Sequence, residues 1–179
     1  MLRSRLLLPA LLLGTSVAVH AQAGAGAPQS ALTVMADNRT AAAEASRGQV
    51  RRDATARVGD VLRYRLTFTN VAGRPVRGVV LSNPLSNGVQ FVDASARASR
   101  QDAAVEYSAD GGQTWSPAPM ERVMVDGLAV ERPIAADRYT HVRWRVDGWV
   151  NPNATVVAEF DARVAPRQLA LRADSTSRR

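Results

Sequence analysis

Val61-Leu62-Arg63-Tyr64-Arg65-Leu66-Thr67-Phe68-Thr69-Asn70 decides the fold. Side chains alternate sides along an extended chain. Leu62, Tyr64, Leu66 and Phe68 therefore share one face, and Arg63, Arg65, Thr67 and Thr69 share the other. One apolar and one polar face predict a strand half in a core and half in water. Tyr139 to Val146 repeats the pattern, with Val142, Trp144 and Val146 inward and His141, Arg143 and Arg145 outward. Thr155 to Val164 does so again, with Val156, Ala158, Phe160, Ala162 and Val164 inward. Three half-buried strands need a second layer to cover them.

Working outward, further strands are expected at Leu32 to Ala36, Pro75 to Ser82, Val89 to Ala96, Ala103 to Tyr107, Val123 to Val125 and Leu128 to Val130. Turn residues separate them: Gly59-Asp60, Gly73-Arg74, Asn87-Gly88, Asp110-Gly111-Gly112, Asp126-Gly127 and Asn151-Pro152-Asn153. Ala41 to Ala45 has the composition of a single helical turn. Many short strands at this spacing describe an all-β sandwich of one domain over residues 31–164.

The chain begins with Met1-Leu2-Arg3-Ser4-Arg5, runs through an apolar stretch from Leu6 to Val19 and reaches Ala21-Gln22-Ala23. A basic start, a short apolar run and small residues at alternate positions read as a signal peptide over residues 1–23, with cleavage after Ala21 as the alternative. The run is too short for a mature spanning helix. Residues 24–30 read as a flexible Gly/Ala/Pro/Ser linker and 165–179 as a basic polar tail whose last eight residues are expected to be removable without unfolding. Export to the periplasm or beyond follows from the signal reading, with no membrane span in the mature chain.

Cysteine is absent, which excludes disulfides, thiolate nucleophiles, thiolate metal sites and a lipidated cysteine. All 23 basic residues are Arg, and Ile134 is the single isoleucine; this reads as the codon bias of a GC-rich bacterial genome. The formal charge of +7 is concentrated at the ends. Arg3 and Arg5 lie in the signal, and Arg167, Arg172, Arg178 and Arg179 face only Asp174 in the tail. The domain between them is close to neutral, which argues against a nucleic-acid partner.

Gly59-Asp60 followed by the Tyr-containing alternating run and Thr69-Asn70 resembles the opening strand of the bacterial conserved-repeat domain, domain of unknown function eleven. Asn83-Pro84-Leu85 with Gly88 to Val92 is similar to its Leu-Pro turn and next strand, and His141 to Trp144 with Pro152 and Thr155 to Val164 to its closing half. The resemblance covers residues 31–164. It implies an immunoglobulin-like sandwich of secreted and surface proteins, commonly in tandem, without assigned activity. One copy stands here, and Ala165-Pro166-Arg167 occupies the place of the strand that normally follows, with Gln168 to Leu171 as its candidate replacement. For Thr155 to Val164 two neighbours are open. A local hairpin across Asn151-Pro152-Asn153 would bring Arg145 to Glu159 and Arg143 to Asp161. The resemblance implies pairing with Val61 to Asn70 instead, bringing Arg65 to Glu159 and Arg63 to Asp161.

Three constellations carry potential chemistry. Ser108-Ala109-Asp110-Gly111-Gly112-Gln113-Thr114-Trp115 matches the Asp-box pattern of sialidase propellers, in which Asp accepts bonds from turn amides and Trp packs under the loop. The chain is too short for several propeller blades, and the box is structural where it recurs. Glu159 and Asp161 lie two apart on one strand face, a spacing that invites a glycoside-hydrolase reading; a flat sheet face without a cleft argues for ion pairs instead. His141, the one histidine after the signal, reads as a solvated surface residue. The sequons at Asn38 and Asn153 read as coincidence in a bacterial chain.

No residue is assigned a catalytic, cofactor-binding or metal-ligating role, and no cofactor is expected. The expectation is an exported, non-enzymatic sandwich module touching another protein or a surface glycan. The alternative is a carbohydrate-active enzyme using the Asp-box hairpin or the Glu159/Asp161 pair. A third reading docks the Arg-rich tail on anionic lipid or polysaccharide.

Overall fold

Within the deciding stretch, Leu66 is fully buried while its neighbour Arg65 is exposed. The computed structural model describes residues 30–49, 51 and 55–166. They form strands β1 (Ser30–Asn38), β2 (Val61–Asn70), β3 (Val79–Pro84), β4 (Val89–Phe91), β5 (Arg97–Ala98), β6 (Ala103–Ser108), β7 (Met120–Val125), β8 (Leu128–Pro133), β9 (His141–Val146) and β10 (Thr155–Val164), with one helix, α1 (Arg39–Ser46), and a 3₁₀ turn at Ala136–Arg138.

Two antiparallel sheets face each other. One has the order β1-β2-β10-β4, with β5 also on β10; the other has the order β3-β9-β6. Their inner faces supply Leu66, Val156, Ala158, Phe160 and Ala162 from one side and Leu81, Val142, Trp144 and Val146 from the other, all wholly or almost wholly buried. Trp144 and Phe160 meet across the sheets with ring centroids 6.1 Å apart. This is an immunoglobulin-like β-sandwich, the fold expected.

β10 pairs with β2 in the register Glu159↔Arg65, Phe160↔Tyr64 and Asp161↔Arg63. The local hairpin does not form: β9 lies in the opposite sheet, so the Asn151-Pro152-Asn153 turn carries the chain across the sandwich. In this arrangement Trp144 and Phe160 are both fully buried between the facing sheets.

The two polar ends of the β2 motif are buried and fully used. Asp60 is 3% exposed and accepts from Asn38 Nδ2 at 2.7 Å, Arg51 Nη1 at 2.5 Å, Arg51 Nη2 at 2.8 Å and Arg57 N at 2.9 Å. Arg51 also reaches Glu44 on α1, so one guanidinium ties helix to strand. Asn70 donates to Arg74 O and Val150 O and accepts from Ala72 N, closing the loop after β2 onto the segment before β10.

Several boundaries differ from expectation for local reasons. Ser30, assigned to the linker, begins β1 opposite Asn70. The single turn at Ala41 to Ala45 is a two-turn helix, because Asn38 caps it by accepting from Ala41 N at 2.9 Å. The Pro75 to Ser82 strand starts only at Val79: Pro75 has no N–H and Gly78 takes a left-handed φ of 71°, so Val76 makes a lone bridge to Val150. The Val89 to Ala96 strand breaks after Phe91 because Ala94 turns left-handed at φ 55°, and the chain rejoins β10 as β5. The signal, residues 24–29 of the linker, the tail beyond Pro166 and the replacement strand at Gln168 to Leu171 lie outside the described residues.

Candidate functional site

The Asp-box segment leaves β6 and folds back over the outer face of β9. Gly111 and Gly112 both take left-handed φ, which lets the turn close around Asp110. The Asp110 carboxylate accepts from Ser108 Oγ at 2.6 Å, Thr114 Oγ1 at 2.6 Å, Thr114 N at 2.9 Å and Gln113 N at 3.0 Å. Donation by the Ser108 and Thr114 hydroxyls, then by the turn amides, holds its pKa well below the usual carboxylate range against a smaller push from burial. A carboxylate saturated in this way organises a turn and holds no proton to give.

Trp115 packs beneath that turn. Its Nε1 donates to Gly112 O at 2.9 Å, and the Arg143 guanidinium lies over its ring at 4.2 Å from the centroid. His141 meets the same ring edge to face at 6.0 Å and is half-buried. Burial lowers its pKa, partly offset by the charge of Asp110. The expected solvated surface histidine is therefore a packed one, because the hairpin covers the part of β9 that alternation alone assigns to water.

Glu159 and Asp161 stand on the outer face of β10, each held by arginines. Arg65 Nε reaches Glu159 at 2.6 Å and Arg97 Nη2 reaches it at 2.5 Å. Arg63 grips Asp161 with two parallel bonds of 2.7 and 2.9 Å. Burial pushes Glu159 up, yet the Arg65 and Arg97 bonds outweigh it and the pKa falls. Asp161 falls through its Arg63 bonds, against burial. Acid-base hydrolysis of a glycoside needs one carboxyl kept protonated by its surroundings. Both of these are kept ionised. Arg143 and Arg145, which a local hairpin would have brought to this pair, reach Glu106 on β6 instead, at 2.6 and 3.3 Å.

The residues that sequence reasoning did not single out form an arm. Among the described residues β7 and β8 pair only with each other, in the register Val123↔Val130 and Val125↔Leu128 around Asp126-Gly127, whose φ values of 50° and 80° suit a tight hairpin turn. Val123, Val125, Leu128 and Val130 share one face, and Met120, Met124, Ala129 and Pro133 share the other, as the register requires. Met124 is 67% and Leu128 70% exposed, and every β8 residue is exposed. At the base, Glu121 joins Arg132 at 2.8 Å and Arg138 at 2.7 Å. The apolar alternation was visible in Val123 to Val130, but alternation does not say whether a core exists to receive it.

Among the described residues no group of three or more His, Cys, Asp or Glu is placed to hold a metal ion, and no helix is long and apolar enough to cross a membrane. The class that fold and surface define is an immunoglobulin-like sandwich carrying a projecting hairpin. No protein-family model matches the chain, and no curated protein matches it. The sandwich is thus the observed part of what the conserved-repeat resemblance implied. Among solved structures the chain is similar to the pilus backbone protein RrgB of Streptococcus pneumoniae, at 15% identity and a TM-score of 0.35. That likeness covers 75% of this chain and 46% of the pilus protein, less than half its length.

Proposed function

We propose that this protein is an exported, non-enzymatic β-sandwich module that works by contact, and that the β7–β8 arm is its protein-contacting element. The arm carries the reading. Of the large apolar side chains left exposed, Met120, Met124, Val125, Leu128 and Val130 all belong to this one hairpin. An isolated two-stranded hairpin is marginal in water, and apolar residues on both of its faces are a liability unless a partner covers them. The arm also presents two strand edges that no strand among the described residues pairs with, the surface onto which an extended partner segment adds. The arginine-bound state of Glu159 and Asp161 supports the non-enzymatic side of the reading over the carbohydrate-active alternative.

Site-specific photo-crosslinking in envelope extracts tests the contact reading. A crosslinker at Met124 or Leu128 should trap one envelope protein, and excess wild-type chain should compete while chain lacking residues 120–133 should not. Equal trapping from a crosslinker at Val58, far from the arm in sequence and 65% exposed, would contradict the assignment. Export is tested by intact mass, with Gly24 expected at the N-terminus of the mature form and retention of Met1 contradicting it.

A further inference from the structure

A second surface lies where the central strand of the three-stranded sheet ends. There Val146 of β9 sits between Val79 of β3 and Ala103 of β6, and the next four residues are fixed from both sides. Arg77 Nε donates to Asp147 O at 3.0 Å, and Asp147 N donates to Asp102 O at 3.1 Å. Gly148 N donates to Asp102 Oδ2 at 3.1 Å, and Arg100 Nη1 donates to Trp149 O at 3.0 Å. Val150 exchanges both backbone bonds with Val76. The backbone at Gly148 lies close against the ends of the Asp102 and Arg100 side chains, which a Cβ there would have to push aside.

This bracing holds out an indole. Trp149 is 59% exposed, whereas Trp144 is fully buried and Trp115 is packed under its hairpin. The flanking Arg100–Asp102 pair is joined by two hydrogen bonds and partly exposed, at 28% and 38%. Beside the braced segment a shallow cleft of about 240 Å³ is lined by Arg77, Val80, Arg145 and Asp147 among others. A rigid aromatic anchor on a fixed backbone loses little entropy when it binds.

We propose that Trp149 is the stacking platform of a saccharide-binding site, taking a neutral β-linked pyranose whose axial C–H face lies on the indole while Asp102, Arg77 and Asp147 meet its hydroxyls. A protein interface of ordinary size has an apolar core extending well beyond one ring. Here the backbone that carries Trp149 is bracketed by charged and polar side chains, with Arg100 and Asp102 paired to each other, which fits a single uncharged sugar ring better. This site is separate from the arm and stands or falls independently of it.

Titration of the full chain with cellohexaose and chitohexaose, followed through the indole N–H resonances, tests the proposal. The Trp149 signal should shift saturably at millimolar sugar while those of Trp115 and Trp144 stay in place. Trp149→Ala should weaken binding more than about tenfold, and Trp149→Phe should retain part of it. If the alanine variant fails to fold, judged by loss of the Trp144 signal, the wild-type shift pattern and Trp149→Phe still decide. No shift at Trp149 with either sugar would overturn the proposal, as would unchanged binding in Trp149→Ala. Protection of Trp149 by an envelope protein, with no sugar bound, would overturn it in favour of a protein partner.

Discussion

Tyr64 and Phe160 stack with ring centroids 4.9 Å apart and planes 7° from parallel, joining the strand that defines the fold to the last described strand. The pair fixes the register on the inner face, and Arg63–Asp161 and Arg65–Glu159 fix the same register on the outer one. Inner and outer faces agree, so a shift by one residue would lose both sets at once.

Trp144→Ala is expected to cost about 3–5 kcal/mol in urea unfolding, since a wholly buried indole leaves a large cavity. Trp144 Nε1 is buried with no hydrogen-bond partner among the described residues, so Trp144→Phe removes an orphan donor together with its volume. It should cost clearly less than the alanine change. Equal costs would mean that the N–H is satisfied in solution.

Asp60→Ala strands Arg51 in a largely buried position and should destabilise by about 3 kcal/mol or more. The Arg51 bonds, then the Arg57 amide and Asn38, hold the Asp60 pKa well below its usual value against burial. A depressed folded-state pKa gives stability that is complete above the unfolded value of about 3.9 and is lost as pH falls below it. Unfolding measured from pH 6 to about pH 2 should therefore fall more steeply for wild type than for Asp60→Asn. Parallel curves would contradict the buried ion pair.

Ala94→Gly should be neutral or stabilising by up to about 1 kcal/mol, against the usual direction of Ala→Gly changes. Ala94 sits at φ 55°, where an L-residue is strained by about 1–2 kcal/mol and glycine is not. A loss above about 1 kcal/mol would place the residue in ordinary strand geometry.

Deleting the arm, with residues 120–133 replaced by a short Gly-Ser link, should leave the melting temperature of the sandwich nearly unchanged. Among the described residues β7 and β8 pair with each other alone, so few core contacts are lost. A fall of many degrees would show the arm to be part of the core.

The two long strands were legible because Val61 to Asn70 and Thr155 to Val164 alternate without interruption, and their ends match the observed strands. The Asp-box turn was equally legible, because its chemistry is local: acceptor, glycines and donors lie within a few residues. His141 was not, since its cover comes from a hairpin that the alternation of its own strand does not describe. Trp149 was missed for the opposite reason. Exposure of a tryptophan depends on what Arg77, Arg100 and Asp102 hold in place, and those residues are far from it in sequence. The arm shows the general limit: Val123, Val125, Leu128 and Val130 have the pattern of a core strand and no core to enter.

The pairing of β10 carries the rest, because it assigns Glu159 and Asp161 to arginines and Phe160 to the core. Nuclear Overhauser contacts on the full chain measure it directly. Cross-strand contacts are expected between the Tyr64 and Phe160 rings, together with backbone contacts linking Arg63 to Asp161 and Arg65 to Glu159. Backbone contacts linking Arg145 to Glu159 and Arg143 to Asp161 would instead place β9 beside β10 and contradict it.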